Sequence, residues 1–413
     1  MNEGAGTGGE FLWTGHRGLL LGWASIGMSR PSVCRDHRCV ATIPPDLRAR
    51  DPCHCQNQSA EWRPNAARSP PLSFGETSGA RRFRADIRRT NTVATLADRT
   101  ALEVVAVRDE AAEVRSFELV DPDGGLLPEW APGAHIDVLA PDADPESVRQ
   151  YSLCGNPDDR RRYRIAVLRE ENGRGASRFL HDRIEAGARL LVGTPRNNFP
   201  LVASPRYLFI AGGIGITPLL PMLDAAAARG AEWELHYGGR RRERMAFLAE
   251  LGGHGERVRA LPEDEHGLLP LAGILDTARP DTAVYACGPE PLLAAVERLW
   301  GERRTGTLHI ERFQARAQEP STVPDREFEV RLATTGGTVR VGPGQSIMDA
   351  LGAAGVDVPS SCREGTCASC ETTVLDGDVE HRDSVLTEDE RENGTTMMLC
   401  VSRAASPHLV LDL

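Results

Sequence analysis

Four cysteines near the carboxyl end of the sequence constrain what it can fold into more than any other feature. They follow the spacing C-x4-C-x2-C…C, at Cys362, Cys367, Cys370 and Cys400. This is the plant-type arrangement of the four thiolates that hold a [2Fe-2S] cluster. Gly365 and the small residues around it allow the loop to curl and bring backbone N–H groups close to sulfur. We therefore expect an iron–sulfur centre here. Zinc is the alternative, although zinc sites more often contain two C-x2-C pairs.

The amino-terminal part of the chain differs in composition from the rest. Residues 1–97 are rich in Arg, Pro, Ser and Gly, and no apolar periodicity persists there. We expect a disordered extension, or a stretch that precedes the true start of the protein. Two groups are candidates for a zinc or redox role instead: Cys34, His37 and Cys39, and Cys53, His54 and Cys55. The single residue between Cys53 and Cys55 is a tighter spacing than zinc sites usually have.

Charge and hydropathy exclude several functional classes. The formal net charge is −11, so nucleic-acid binding is not expected. No apolar run reaches the roughly 18 residues that a membrane span needs. The nearest candidate, residues 11–28, is interrupted by His16 and Arg17 and lacks the basic start of a secretory signal. We expect a cytoplasmic monomer that contacts no membrane.

The chain after residue 97 divides into three parts with different patterns. Short alternating strands separated by turns predict an antiparallel β-barrel over residues 98–203. Apolar strands alternate with helices over residues 204–316, as in a parallel α/β sheet. A polar, proline-containing linker is expected at 317–326. Residues 327–413 begin with a hairpin and a helix, and the four cysteines follow.

A glycine-rich turn in the α/β part is a candidate for binding a dinucleotide. Residues 210–218 read I-A-G-G-I-G-I-T-P, with glycines at Gly212, Gly213 and Gly215. The turn lacks the G-x-G-x-x-G fingerprint. Its glycines still allow the backbone to approach a pyrophosphate, and a helix over 218–228 with Pro218 at its first position would offer its N-terminus to phosphate. A tight structural turn is the alternative.

A second turn in the α/β part follows another predicted strand. It contains Cys287, Gly288 and Pro289. The carboxyl ends of strands are where ligands sit in open α/β sheets, so this turn would place the Cys287 thiol beside a bound ring. The alternative for Cys287 is a small buried residue that only packs.

The barrel part carries a separate candidate anion site. Residues 149–153 read R-Q-Y-S-L, and an arginine beside an aromatic ring and a hydroxyl can hold a phosphate and flank a planar ring. Residues 173–178 read G-R-G-A-S-R before a short predicted helix, with Gly175 and Ser177 at its start. A helix start of this kind binds anions. Two phosphate sites in two parts of the chain are most simply explained by two nucleotide-like ligands.

The motifs R-x-Y-S-L, G-G-I-G-I-T-P and C-G-P together resemble the ferredoxin–NADP reductase superfamily. With the cysteine motif at the carboxyl end, the chain resembles the phthalate dioxygenase reductase and vanillate O-demethylase reductase family. The resemblance runs from about residue 100 to Leu413 and includes the less specific segments 133–137, 195–199 and 309–313. It implies a β-barrel that binds FMN, an α/β domain that binds NADH, and a β-grasp ferredoxin domain docked over both.

The resemblance also implies roles for individual residues. Contacts to the flavin are implied for Arg149, Tyr151, Ser152, Ala166 and Val167, and contacts to its phosphate for Gly175, Ala176 and Ser177. The pyridine-nucleotide site is implied at Gly212, Gly213, Gly215, Cys287, Gly288 and Pro289. The candidate catalytic residues, near the nicotinamide or the flavin ring, are Thr217, Cys287, Glu311 and Phe313.

The function implied by the resemblance is an NADH-dependent reductase. Electrons would pass from NADH through FMN and [2Fe-2S] to a Rieske-type aromatic oxygenase or O-demethylase. FAD in place of FMN, and a different acceptor such as a cytochrome, are the alternatives. NADPH also remains open, because Arg240, Arg241 and Arg242 could pair with a 2′-phosphate. Gly238 stands where a larger residue is expected, which would loosen the adenosine pocket. An electron carrier without enzymatic activity is disfavoured by the intact turns, and a redox-sensing regulator by the acidic charge.

Overall fold

In a computed structural model, the chain is described over residues 99–139, 148–301, 306–316 and 324–413. The described residues all belong to one compact unit, Ala85–Leu413. The expected amino-terminal extension and its candidate zinc or redox ligands lie outside the described residues, and so does part of the expected linker.

The first described part is an antiparallel sheet that curves round on itself. Its elements are β1 (Thr100–Ala111), β2 (Val114–Val120), β3 (Ala134–Leu139), β4 (Val148–Ser152), β5 (Arg162–Leu168), α1 (Ala176–Arg183), β6 (Arg189–Val192) and β7 (Arg196–Asn197). The strand order is β4-β3-β6-β1-β2-β5, and β7 pairs with β3. A bridge between Leu153 and Ile165 joins the two ends of this order.

Strand β3 illustrates how the sequence pattern forms this sheet. Ile136 and Val138 alternate with polar residues and pack in the barrel core. Since successive side chains of a strand point to opposite faces, His135 and Asp137 lie on the other face. Both are nevertheless buried. The outer face of β3 is therefore covered by another part of the chain.

The second part is a five-stranded parallel sheet. Its elements are β8 (Arg206–Gly212), α2 (Leu220–Ala228), β9 (Glu232–Gly239), α3 (Leu248–Leu251), β10 (Val258–Pro262), α4 (Glu263–His266), α5 (Leu271–Asp276), β11 (Thr282–Cys287), α6 (Glu290–Gly301) and β12 (Thr307–Glu311). The order β10-β9-β8-β11-β12 reverses direction between β8 and β11. The carboxyl ends of those two strands carry the two turns predicted to bind a dinucleotide, and such a reversal is where open parallel sheets bind ligands.

The turn after β8 differs from the sequence prediction. A 3-10 helix occupies Gly213–Ile216, and α2 begins only at Leu220, with Pro221 rather than Pro218 in its first turn. The predicted position of Pro218 at the start of the helix is therefore wrong. The physical reason is close packing, because a Cβ on Gly215 would lie 2.2 Å from the carbonyl oxygen of Cys287. The chain must clear the end of β11 before an α-helix can form.

The third part is a mixed sheet at the carboxyl end. Its elements are β13 (Phe328–Leu332), β14 (Thr338–Val341), α7 (Ile347–Ala353), β15 (Glu371–Asp376), β16 (Val379–Glu380), α8 (Glu388–Asn393), β17 (Thr396–Met398), β18 (Arg403–Ala404) and β19 (His408–Leu411). The order is β14-β13-β19-β15-β17, and β16 pairs with β18. Strands β13 and β19 are parallel, and the other pairs are antiparallel.

The architecture expected from the sequence is confirmed, with an antiparallel barrel, a parallel α/β sheet and a ferredoxin fold in that order. Asp325, which the sequence placed in the linker, forms an ion pair with Arg382 at 2.7 Å and lies 3.5 Å from Arg403. The chain is thus already fastened to the ferredoxin part before β13 begins. Among the described residues, no helix has both the length and the apolar character needed to cross a bilayer.

Candidate functional site

The four predicted cluster ligands are brought together by the loop between α7 and β15 and by the turn after β17. Cys362, Cys367 and Cys370 are buried, and Cys400 is half-buried. Hydrogen bonding to the neighbouring thiols of Cys367 and Cys400 lowers the pKa of Cys362 far below its usual range. The four sulfurs therefore form one interacting group, although they come from two separate segments.

Backbone donors surround the sulfurs in this loop. The N–H of Cys362 lies 3.4 Å from Cys367 Sγ, and the N–H groups of Glu364 and Thr366 lie 3.3 and 3.4 Å from Cys362 Sγ. Gly365 has a φ of +71°, and a Cβ there would lie 2.7 Å from Val401. The loop thus needs glycine at this position to present its N–H groups to sulfur.

The four thiols and the backbone N–H groups around them are the groups that hold an iron–sulfur cluster. A zinc site needs its four ligands around one point, whereas a [2Fe-2S] cluster spreads four thiolates over two irons. The donor set and its N–H groups therefore fit an iron–sulfur cluster.

The residues predicted to contact the flavin ring lie on β4 and β5. Ser152 Oγ is buried and has no hydrogen-bond partner among the described residues. A buried hydroxyl without a partner is costly, so this atom fits one that bonds to a ligand. Tyr151 is an inward-facing neighbour whose pKa is raised by burial, and Arg149 donates to the carbonyl oxygen of Val148 at 2.7 Å. On β5, Ala166 and Val167 are buried.

The residues predicted to hold the flavin phosphate lie at the start of α1. Gly175 precedes the helix with a φ of 101°, and no side chain caps the helix. Ala176 is buried, and Ser177 Oγ accepts a hydrogen bond from the N–H of Glu170 at 3.0 Å. The first N–H groups of an uncapped helix are suitable donors to a phosphate.

The two turns predicted to bind a dinucleotide are in contact. Cβ atoms on Gly212 and Gly288 would lie 2.6 Å from Pro289 and 2.9 Å from Gly212, respectively. Gly213 adopts a φ of +53° and has open space beside it. The glycines at 212, 215 and 288 are thus required for the turns to approach each other, and Gly213 is the one that faces free space.

The candidate catalytic residues lie around these turns. Cys287 and Glu311 end the paired strands β11 and β12 and are register partners, with Sγ 4.0 Å from Oε2. Burial raises the pKa of Cys287 well above its usual value and that of Glu311 to about 8. At pH 7 the thiol is therefore protonated and the carboxyl is mostly protonated. Thr217 is buried and donates to the carbonyl oxygen of Ile214 at 3.0 Å, whereas Phe313 lies beyond β12 and is 40% exposed.

The arginines predicted to accommodate a 2′-phosphate follow β9. Arg242 forms an ion pair with Glu265 at 3.0 Å, and Arg241 lies 3.8 Å from Glu243. Arg240 is exposed, and its carbonyl oxygen accepts from the N–H of Asp264. Two of the three guanidinium groups thus already have a carboxylate partner.

A polar network that the sequence did not reveal connects the barrel to the cluster loop. Asp137 on β3 forms a two-bond ion pair with Arg196 on β7 and also accepts from Gln150 on β4 and from Ser361. Gln150 also donates to Ser361, the residue before Cys362. The sequence contained one sign of this network, because the alternation of β3 places Asp137 on the face opposite the barrel core. The sequence did not show that the cluster loop covers that face.

Comparison with known proteins places the chain in a family. The sequence profile of the 2Fe-2S iron-sulfur cluster binding domain matches residues 330–405, a range that contains all four cysteines. Phenoxybenzoate dioxygenase subunit beta of Ectopseudomonas oleovorans is 42% identical over 315 residues, which are 76% of this chain and 97% of that protein. Phthalate dioxygenase reductase of Burkholderia cepacia is 39% identical over 318 residues, again 76% and 97% of the two chains.

Solved structures agree with this placement. A structure of phthalate dioxygenase reductase, described as modular for electron transfer from pyridine nucleotides to [2Fe-2S], matches with a TM-score of 0.56 and 37% identity over 77% of this chain and 99% of that one. An intact type IV self-sufficient cytochrome P450 monooxygenase matches with a TM-score of 0.71 and 42% identity over 76% of this chain. The match spans only 41% of that longer protein.

Both the sequence relatives and the order of the three folded parts lead to one assignment. A relative 39% identical is covered over 97% of its length, and the cysteine motif lies within a matched 2Fe-2S domain. The chain is a member of the phthalate dioxygenase reductase family of oxidoreductases, which joins a ferredoxin–NADP reductase fold to a carboxyl-terminal [2Fe-2S] domain.

Proposed function

We propose that this protein takes electrons from NADH through FMN to its [2Fe-2S] cluster and delivers them to a terminal Rieske-type oxygenase or O-demethylase of aromatic compounds. The contact between the cluster loop and the flavin-binding strands carries the proposal. Ser361 precedes the ligand Cys362 and hydrogen-bonds to Gln150, which stands between the predicted flavin contacts Arg149 and Tyr151. Relatives named as subunits of dioxygenase systems support the class of acceptor.

The chemistry of the two cofactors explains why one chain needs both. A bound flavin accepts a two-electron hydride and can release electrons singly, which is how a [2Fe-2S] centre takes them. The protein supplies position. We assign the flavin phosphate to the N–H groups at the start of α1, and we assign a hydrogen bond to the flavin to the unpaired Ser152 hydroxyl.

On the other side of the flavin, the turns after β8 and β11 would hold the pyridine nucleotide. Hydride transfer requires its reacting atoms about 3–3.5 Å apart. Cys287 is protonated and Glu311 is mostly protonated at pH 7, because burial raises the pKa of each. They would offer the nicotinamide an uncharged surface that packs against either redox form.

Two observations support the particular cofactors. Over residues 99–139 and 148–203 the barrel has one helix start suited to a phosphate, at α1, and FMN carries one phosphate. Arg241 and Arg242 already face Glu243 and Glu265. A 2′-phosphate would have to compete with these carboxylates, which supports NADH over NADPH.

A cytochrome acceptor is the second candidate. The self-sufficient cytochrome P450 monooxygenase that matches this chain resembles it over 41% of its own length. A reductase of this type can therefore serve a cytochrome P450 as well as a Rieske-type oxygenase. Reduction assays with a Rieske oxygenase component and with a P450 would distinguish the two acceptors.

The test of the proposal is a variant that removes one cluster ligand. Cys367→Ser should lose the visible absorbance of the cluster and the reduction of any acceptor, while NADH still bleaches the flavin under anaerobic conditions. Cys154→Ser is the matched control, since Cys154 is a buried free thiol outside the cluster loop. It should retain both activities. A Cys367→Ser protein that folds but cannot reduce its flavin would refute the modular assignment, and mass identification of the released flavin would decide between FMN and FAD.

A further inference from the structure

We propose that Asp137 is a positioning residue for the flavin-to-cluster electron transfer, because it anchors the cluster loop, residues 361–370, to the flavin-binding strands. The inference rests on the proposed function, and it assigns a task to residues to which neither the motifs nor the comparisons give a role. Asp137, Arg196, Gln150 and Ser361 are named the anchor network below.

The base of the anchor network is a buried ion pair. Arg196 donates to both carboxylate oxygens of Asp137, at 2.7 and 2.8 Å, and the two side chains are only 9% and 8% exposed. Burial opposes the charge on Asp137, but hydrogen bonds from Arg196, Gln150 and Ser361 keep its pKa below the usual value. The carboxylate is therefore charged and fixed in orientation by the guanidinium plane.

The ion pair extends directly to the cluster loop. Ser361 Oγ donates to Asp137 Oδ1 at 2.8 Å, and Gln150 Nε2 donates to the same oxygen at 2.9 Å. Gln150 also donates to Ser361. One carboxylate oxygen thus holds groups from β7, β4 and the cluster loop together.

A second attachment lies on the same side of the loop. Asn198, which follows β7, donates from Nδ2 to the carbonyl oxygen of Cys367 at 3.0 Å. A third contact, the ion pair of Arg174 with Glu364 at 2.8 Å, is about half exposed on both sides. Exposed pairs of this kind contribute little. The contacts at 361 and 367, which are partly buried, therefore dominate, and both adjoin or belong to predicted ligands.

The location of the anchor network explains its task. Gln150 lies on β4 among the predicted flavin contacts, Asp137 is its register partner on the neighbouring strand β3, and Ser361 adjoins Cys362. The step it serves moves one electron from the reduced flavin, which is oxidised, to the cluster, which is reduced, and no bond forms or breaks. Because the rate of such a step falls steeply with separation, a looser loop slows it. Hydride transfer occurs at the turns after β8 and β11 and does not depend on this contact.

The experiment compares three variants of the holoprotein. Ser361→Ala removes one donor and leaves the ion pair intact, Ser361→Thr keeps the hydroxyl, and Asp137→Asn removes the charge. Anaerobic stopped-flow mixing with NADH follows flavin bleaching and cluster reduction separately. We expect unchanged flavin reduction in all three. Cluster reduction should slow by about tenfold or more in Asp137→Asn, as for other misplaced reacting groups. It should slow by a smaller factor in Ser361→Ala and be restored in Ser361→Thr.

A second readout does not depend on activity. Hydrogen–deuterium exchange of a peptide covering residues 361–370 should be faster in Asp137→Asn and Ser361→Ala than in the wild type. Glu129→Gln is the matched control, since Glu129 also pairs with an arginine of the barrel but is 77% exposed. It should leave both the exchange and the cluster reduction unchanged.

The outcomes separate this inference from the proposed function. Wild-type protein that reduces its flavin but never its cluster would refute the proposed function. If the wild type transfers electrons and the folded variants reduce their clusters at the same rate, Asp137 has no positioning role, whether or not the loop exchanges faster. Should Asp137→Asn fail to fold, the comparison of Ser361→Ala with Ser361→Thr decides alone.

Discussion

Glu311 illustrates how position alone can change the charge of a residue. In the sequence it is one acidic residue among 59 Asp and Glu. In the structure it ends β12 beside Cys287, and burial raises its pKa to about 8. The folded protein therefore holds a proton on this carboxyl that the unfolded chain releases in neutral solution.

The stability of the Glu311→Gln variant should depend less on pH than that of the wild type. The unfolded carboxyl titrates near its usual value of 4.5 and the folded one near 8. Wild-type stability is complete below the lower value and falls as pH rises towards the upper one, since only the unfolded state has lost the proton. Glutamine does not ionise. As pH rises between the two pKa values, the melting temperature of the variant should therefore increase relative to that of the wild type. Parallel curves of melting temperature against pH would contradict the raised pKa.

Single residues differed in how far the sequence could predict them. Cys362, Cys367, Cys370 and Cys400 were identified as a group because cluster ligands follow a fixed local spacing. Asp137 was not identified, because its partner Ser361 lies 224 positions away and no local pattern joins them. Residue roles that depend on a contact between distant segments require the fold.

At the scale of elements, the sequence predicts the three central strands of the parallel sheet, at residues 206–211, 232–237 and 282–286, but not its two edge strands. Strands β8 and β11 are buried along nearly their whole length and appear in the sequence as apolar runs. Strands β10 and β12 lie at the two edges of the sheet and are only partly buried, so their sequences lack that signal. Pro218 was misplaced for a related reason, since the packing of Gly215 against β11 delays the start of α2.

A pair of glycine substitutions tests the packing of the two turns. Gly215→Ala would place a Cβ 2.2 Å from the Cys287 carbonyl oxygen, so we expect a loss of about 1–3 kcal/mol from overpacking. Gly352→Ala is the control, because Gly352 lies in α7 with no atom within 4 Å of its added Cβ. Alanine there should stabilise α7 by about 0.5–1 kcal/mol. Thermal melts of both variants provide the measurement, and a Gly215→Ala protein as stable as the wild type would show that the turns are not tightly packed.

At the scale of the whole molecule, the succession of three folded parts was predictable and their mutual contacts were not. The order follows from motifs that each lie within one part. The contact between the cluster loop and the barrel depends instead on Gln150 and Ser361, which are 211 positions apart in the sequence. The sequence marks both as ordinary polar residues.

Removal of residues 1–95 should leave electron transfer intact. Every residue predicted to bind the cluster, the flavin or the pyridine nucleotide lies beyond residue 99, and 76% of this chain matches relatives over 97% of their own length. The rates at which NADH reduces the flavin and the cluster should be the same in the truncated protein and in the full chain. The melting temperature should also be retained. A large loss of either would assign a structural or redox role to the extension.

The place of β19 in the ferredoxin sheet has a consequence for how the protein is made. This strand, His408–Leu411, lies between β13 and β15, and its leucines are fully buried. A ribosome releases the chain from its amino end, so the barrel and the parallel sheet emerge complete while the ferredoxin sheet still lacks its middle strand. The buried core of the ferredoxin part, which the leucines of β19 complete beside Cys370, therefore forms only after Leu411 has left the exit tunnel.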